Sequence, residues 1–253
     1  MKRAILFALA AACAALVACA APSAEKRKEA AARMQMGVTY LGQRNMPAAM
    51  RELQTAAELD PGNAEVDMVL GLVYQSRGDF AKAEESFREA IDKKPDYGEA
   101  HNNLGILLSS LGRSQEAIAE FEAAVSNVLY ATPEIGYTNL GEEYRRKGDL
   151  RKSEEMFRRA IAFNGVHAPA WRGLAMVQGE KKEWAEAVKT LERCVEIAPA
   201  FALAWLDLGS ARLRMGKDKE ALAAFRNVLA HSTDPVLRTK ATGFVNILQR
   251  EKR

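Results

Sequence analysis

Apolar residues recur along most of the chain with the spacing of amphipathic helices, and residues 64–97 show the pattern most clearly. The second half of this segment places four residues at i, i+4, i+7 and i+8, which is one helix face: Ala83, Phe87, Ala90 and Ile91. The first half contains Leu70, Gly71 and Tyr74, and Pro95 closes the segment. The pattern predicts two amphipathic helices joined by a turn.

The small residues of this segment predict how the two helices pack. Gly71 and Ala83 are expected where the helix backbones approach most closely, and Gly78 can adopt the left-handed conformation that a helix end needs. Neither helix can bury its apolar face alone. Neighbouring copies must therefore stack for the core to become continuous.

Copies of this unit follow one another along the chain. The position of Gly71 recurs with steps of 34, 34, 36, 34 and 34 residues, at Gly37, Gly71, Gly105, Gly141, Ala175 and Gly209. Motif residues recur with it, such as Tyr40 and Pro61 in the first copy and Trp171 and Ala187 in the fifth. The period and these residues resemble the tetratricopeptide repeat. The resemblance implies an all-α superhelical solenoid of six repeats.

The period sets the domain boundaries. The repeats are predicted within residues 30–235, as 30–63, 64–97, 98–133, 134–167, 168–201 and 202–235. Residues 236–253 follow, with Leu237, Ala241, Phe244 and Leu248 at helical spacing. A helix here is predicted to cap the last apolar face of the solenoid, with a free amphipathic docking helix as the alternative.

The N-terminus has the pattern of an exported lipoprotein. Lys2 and Arg3 precede a short apolar run, so residues 1–18 are predicted to be a signal peptide. The run ends in Leu16-Val17-Ala18-Cys19, which resembles the lipobox of bacterial lipoproteins and implies lipidation of Cys19. Ala20 favours the outer membrane, where the lipid-anchored protein would face the periplasm; residues 19–29 are predicted as a tether. The alternative is an ordinary signal peptide that happens to contain cysteine.

Cysteine content and net charge limit the classes of function that the sequence favours. Only Cys194 remains in the folded body, at the small-residue position that Ala90 fills in residues 64–97, so it is predicted to be buried packing. Without Lys2 and Arg3 the 36 basic residues become 34, against 33 acidic residues. This balance gives no electrostatic reason to expect a nucleic-acid partner.

No pattern of catalytic or cofactor-binding residues is evident. His101, His167 and His231 lie in different repeats without the spacing or companion carboxylates of a metal site. The glycines follow the repeat and do not cluster into a phosphate-binding loop. The sequence therefore predicts a protein without enzymatic activity, metal, cofactor or small-molecule substrate.

The expected binding surface is the concave groove lined by the first helix of each repeat. Inward positions in the first two repeats are apolar: Met34, Val38, Leu41, Met68 and Leu72. Inward positions in repeats three and four are polar and include Asn102, Asn139 and Arg145. We predict that these eight residues contact a protein partner. For Met34 and Met68, filling the core between repeats is the alternative.

A two-residue insertion between Gly105 and Gly141 predicts a longer loop at residues 127–133. Leu129-Tyr130-Ala131-Thr132-Pro133, followed by Tyr137-Thr138-Asn139-Leu140-Gly141, resembles a segment of the pilotin lipoproteins of type IV pilus systems, the PilF, PilW and Tgl type. The resemblance implies a protein that binds the pilus secretin subunit and promotes its membrane localisation and multimer assembly, and thereby twitching or gliding motility. The alternative is a generic lipid-anchored periplasmic scaffold for envelope assembly.

Overall fold

The computed structural model describes residues 22–250, which fold into α-helices without a β-strand in that range. The helices lie in two compact units that divide between Pro95 and Asp96. The N-terminal unit contains α1 (Ala24–Gly42), α2 (Met46–Leu59), α3 (Ala64–Ser76) and α4 (Phe80–Lys93). The C-terminal unit contains α5 (Gly98–Ser110), α6 (Ser114–Ser126), α7 (Pro133–Arg146), α8 (Leu150–Phe163), α9 (Ala168–Glu180), α10 (Trp184–Ile197), α11 (Ala202–Arg214), α12 (Asp218–His231) and α13 (Pro235–Arg250). The predicted signal peptide and Cys19 lie outside the described residues.

In five of the six repeats the two helices cross where the recurrent glycine meets a bulky side chain of the second helix, and repeat five has Ala175 at this position. A Cβ atom added to Gly71 would lie 2.5 Å from the Phe87 ring, and one added to Gly141 would lie 2.8 Å from the Phe157 ring. Both rings are fully buried. The predicted close approach at Gly71 is confirmed, and its physical basis is an aromatic ring packed on bare backbone. The all-α tetratricopeptide solenoid predicted from the period is likewise the fold class of this chain.

The turn inside each pair ends the first helix with a left-handed residue. Gly78, Gly112, Gly148 and Gly216 adopt φ angles between 70° and 81°. Arg44 and Lys182 occupy the equivalent position in repeats one and five, with φ angles of 58° and 64°. The conformation predicted for Gly78 is therefore required by the turn, and two repeats adopt it without glycine.

The N-terminal tether differs from the prediction. Helix α1 begins at Ala24, and the Ser23 side chain accepts a hydrogen bond from the Lys26 amide as its N-cap. Residues 24–29, which were predicted as part of the tether, are therefore the first residues of α1. The physical reason is that Ser23 supplies a capping oxygen and the alanine and charged residues after it are good helix formers.

The C-terminal segment is the predicted cap. Helix α13 packs on α12, with Phe244 stacked on Phe225 at a ring-centroid distance of 4.5 Å. Ala241 and Leu248 of α13 are buried in the same cluster. Because its apolar face is covered by the last repeat, α13 is not the free docking helix of the alternative interpretation.

The inserted segment forms the loop between α6 and α7. Tyr130 turns inward and is 5% exposed, and its ring packs against the glycine backbone at Gly98. Val128 and Leu129 point outward and are 94% and 80% exposed. The longer loop expected at residues 127–133 is present.

Candidate functional site

Polar side chains on the first helices of repeats three and four bond to each other. The Asn139 side-chain amide donates to the Asn102 side-chain oxygen at 2.9 Å, which links α5 and α7. Asn102 is only 6% exposed. A buried amide is costly without a partner, so this pair is first of all a structural contact between repeats.

Arg145 links the first helices of repeats four and five. Its guanidinium donates to Glu142 at 2.9 and 3.0 Å and to Glu180 at 2.7 Å. Partial burial lowers the pKa of Arg145, but these two carboxylates outweigh it and raise the pKa above its ordinary value. The side chain is therefore a fixed cation whose hydrogen bonds lie within the protein.

A third link joins repeats five and six. Arg172 of α9 donates from Nε to the Asp207 carboxylate of α11 at 2.6 Å. Burial raises the pKa of Asp207, and the Arg172 cation opposes that rise. Both side chains are half-buried, and each neutralises the other at the surface of the first helices.

An apolar pocket of about 440 Å³ opens on this surface between repeats five and six. Its apolar wall consists of Ala175, Met176, Trp184, Ala187, Leu191 and Ala211. Glu180, Asp207, Ser210 and Arg214 surround it with polar groups. A pocket with an apolar wall and a few polar groups is suited to holding a bulky side chain of a partner.

Gly179 keeps this pocket open. A Cβ atom at Gly179 would lie 3.1 Å from the Trp184 ring, so a longer side chain would cover the ring. Other repeats have larger residues at the same helix position, including Gln75, Arg145 and Leu213. The sequence therefore contained a feature that could have predicted this pocket. Repeat five has glycine where other repeats have a larger residue, and a tryptophan of another helix lies next to it.

The apolar residues predicted for the N-terminal groove have different environments. Met34 is 9% exposed and belongs to the hydrophobic core, so the core interpretation is correct for it and its place on an open groove surface is wrong. Met68 and Leu41 are half-buried and pack against that same core. Leu72 is half-buried, and Val38 is 38% exposed. The physical reason is that Met34 belongs to one cluster with buried residues of α2 and α3, such as Leu53 and Val69, whereas Val38 does not.

The remaining candidates for reactive or metal-binding residues include one cysteine and two histidines. Cys194 is fully buried, its thiol donates to the Ala168 carbonyl at 3.3 Å, and burial raises its pKa to about 11. His101 Nδ1 lies 2.7 Å from a Glu120 carboxylate oxygen. Burial lowers the pKa of His167. Within residues 22–250, no group of three or more His, Cys, Asp or Glu residues is arranged to hold a metal ion.

One buried charge was missed by sequence reasoning. Glu143 of α7 is 1% exposed and forms an ion pair with Arg146 one turn later. Equivalent positions in four other repeats are aliphatic, as at Leu107 and Val177, and repeat one has Thr39. Aligning the repeats position by position would have identified this carboxylate. Among the helices that the structure describes, none is long and apolar enough to cross a membrane.

Comparisons with solved structures identify proteins of similar architecture. PilW, described as a widely conserved type IV pilus biogenesis factor, is 25% identical, with a TM-score of 0.74 over 83% of this chain and 97% of PilW. PilF of Pseudomonas aeruginosa is 19% identical, with a TM-score of 0.76 over 90% of this chain and 99% of PilF. MamA is 27% identical, with a TM-score of 0.57 over 64% of this chain and 93% of MamA. Since 425 solved chains match, the fold alone does not select a partner.

Comparison with curated protein sequences finds no match. Comparison with protein families finds tetratricopeptide-repeat profiles at residues 68–132 and 138–200 and at residues 203–231. The first profile alone covers half of the chain, and the matched residues contain the Gly71, Gly105, Gly141 and Gly209 crossings. Repeats of this kind typically bind proteins. The chain belongs to the tetratricopeptide-repeat family.

Proposed function

We propose that this chain is an outer-membrane lipoprotein that binds the type IV pilus secretin and promotes its membrane localisation and multimer assembly. The observation that carries the proposal is the likeness to PilW, a type IV pilus biogenesis factor, which extends over 97% of that protein. The segment from Leu129 to Gly141 that resembles the pilotin lipoproteins supports it.

The lipid anchor in this proposal is Cys19. The lipobox Leu16-Val17-Ala18-Cys19 supports it, and helix α1 begins five residues later at Ala24. An acylated cysteine would hold the first repeat close to the membrane, where a membrane-bound client is met. Mass spectrometry of the mature protein should give a chain that begins at acylated Cys19. A free amino terminus elsewhere would contradict the anchor.

The secretin-binding surface in this proposal consists of the accessible apolar residues of the N-terminal unit, Val38, Leu41, Met68 and Leu72. Asn102, Asn139 and Arg145 belong to the C-terminal unit and stay candidate contacts of that unit by itself. Val38 gives the sharpest test because it is 38% exposed, so a charge there need not disturb the core. Val38→Glu should weaken secretin binding by roughly thirtyfold, as expected for one lost anchor of hot-spot quality.

Met36→Glu is the matched control. Met36 lies on the same helix and is 43% exposed, but two residues along a helix it points to a different side. It should leave secretin binding unchanged. Equal losses from both substitutions would remove the groove surface from the proposal.

The experiment in cells is deletion of the gene followed by detection of secretin multimers in outer-membrane fractions. Loss of multimers, restored by the parent gene and not by the Val38→Glu gene, is the expected result. Normal multimers after deletion would overturn the pilotin function. They would favour the generic periplasmic scaffold that the tetratricopeptide fold also permits.

A further inference from the structure

The pocket between repeats five and six has a neighbour on the other side of α11. This second pocket of about 360 Å³ is lined by Ser210, Leu213, Arg214 and Phe244. Ser210 and Arg214 line both pockets. They stand one helical turn apart and form a ridge on α11, so the two pockets lie on either side of this ridge with Arg214 between them.

The two pockets have different apolar walls. The first is bounded by the Trp184 ring of α10, left uncovered by Gly179. The second is bounded by Phe244 of the capping helix α13, which is held in place by its stack on Phe225. Both aromatic rings are anchored by packing, so the walls exist before any partner arrives and binding need not order them.

The charges around the pockets leave one cation available. Glu180 is bound by Arg145 at 2.7 Å, and Asp207 is bound by Arg172 at 2.6 Å. Arg214 is exposed, with its guanidinium 5.8 Å from the centre of the Trp184 ring. Within the part of the chain that the structure describes, no carboxylate lies within ion-pair distance of Arg214. Arg214 is therefore the charged side chain that both pockets leave available to a partner.

We propose that this two-pocket surface binds an acidic amphipathic helix of a partner protein. Two bulky apolar side chains of the helix fill the pockets, and a carboxylate between them pairs with Arg214. Helices that dock in grooves present apolar anchors at i, i+4 and i+7, so a helix that crosses α11 can place one anchor in each pocket. The proposal goes beyond the secretin-binding function and does not rest on it, because the site is separate from Val38, Leu41, Met68 and Leu72.

The test uses two synthetic peptides and the full chain purified in detergent. The acidic peptide is an amphipathic helix with leucine or phenylalanine at i, i+4 and i+7 and glutamate between these anchors. The basic peptide has lysine in place of each glutamate. Fluorescence anisotropy of the labelled peptides should give tighter binding of the acidic peptide by about tenfold, since only it complements Arg214.

Two variants test the parts of the site separately. Gly179→Leu covers the Trp184 ring and should weaken the acidic peptide by roughly thirtyfold. Gly243→Leu is its control, because a Cβ atom at Gly243 meets no atom within 4 Å. Arg214→Glu should reverse the preference between the two peptides. Arg226→Glu, at an exposed arginine of α12, should leave the preference intact.

Circular dichroism of each variant shows whether the fold is retained. If Gly179→Leu does not fold, Arg214→Glu still decides the test, because it changes an exposed side chain. The proposal is overturned if both peptides bind the parent equally or not at all, or if a folded Arg214→Glu protein keeps the parent's preference. Secretin binding is unaffected in either case, so failure here is distinguishable from failure of the pilotin function.

Discussion

Repeat four (α7 and α8) and repeat five (α9 and α10) follow one template but fill the crossing between their helices differently. In repeat four the bare backbone of Gly141 receives the ring of Phe157. In repeat five the same positions hold Ala175 and Leu191, and both line the 440 Å³ pocket. The exchange of a glycine and a ring for two aliphatic residues accompanies a pocket with a largely apolar wall.

The polar groups of the two repeats differ as well. In repeat four Tyr144 donates to Glu122 at 2.8 Å, and burial together with that carboxylate raises its pKa to about 12. In repeat five Gln178 occupies the tyrosine position, and within residues 22–250 its buried side-chain oxygen has no hydrogen-bond partner. Repeat four also has a pocket, of about 420 Å³, but Tyr144, Lys152 and Arg159 are among its lining residues. The pocket of repeat five is of similar size and is lined mainly by small and aliphatic residues. A repeat template fixes where residues lie, but their exchange decides how apolar the pocket of each repeat is.

The largest expected effect is at the crossing of repeat four. Gly141→Leu places a side chain where even a Cβ atom would lie 2.8 Å from the Phe157 ring. The substitution should lower the free energy of unfolding by about 3 kcal/mol or more through overpacking. Urea denaturation followed by circular dichroism measures it, with Gly243→Leu as the control in open space. An unchanged midpoint would contradict the crossing.

Converting repeat five to the crossing of repeat four should reveal coupling between its two positions. Leu191→Phe alone brings a ring against the Ala175 methyl group and should cost about 1 to 3 kcal/mol. In the Ala175→Gly background the same change should cost at least about 1 kcal/mol less, because the ring then packs on bare backbone. A double-mutant cycle of urea unfolding measures the coupling. Additive effects would show that the two residues do not meet at the crossing.

The amide pair of repeats three and four gives a smaller effect. Asn139→Ala leaves the buried Asn102 oxygen without its 2.9 Å partner and should cost about 1 to 2 kcal/mol of stability. Removing both amides with Asn102→Ala and Asn139→Ala should cost less than the two single changes added together. Thermal unfolding of the three variants is the measurement. Strict additivity would mean that the pair contributes nothing as a pair.

The smallest effect concerns Cys194, which fills in repeat five the position of Ala160 in repeat four. With its pKa raised to about 11, the folded state keeps the neutral thiol. Its contribution to stability is therefore complete below the unfolded pKa of about 8.5 and is lost as pH rises above that value, where the unfolded chain ionises first. Ellman's reagent at pH 8 should leave the native thiol unlabelled and label it in urea. Rapid labelling without denaturant would contradict the buried thiol.

The period and the small residues predicted the fold because they report local packing that each repeat shares. Gly71 and the capping residues Ala241 and Leu248 could be identified in this way. The interactions of Arg145 with Glu180 could not, since these residues lie on different helices and only the stacking angle brings them together. Met34 was misplaced for a related reason: core-facing and groove-facing positions of a helix are adjacent, and residues of α2 and α3 decide which of them is covered.

The most direct measurement of the central claim is the binding of the full chain, purified in detergent, to the purified pilus secretin subunit by isothermal titration calorimetry. The account predicts saturable binding with a Kd of about 1 μM or tighter, lost with Val38→Glu and retained with Met36→Glu. Absence of binding at about 100 μM secretin subunit, a weaker affinity than a specific assembly partner needs, would contradict it.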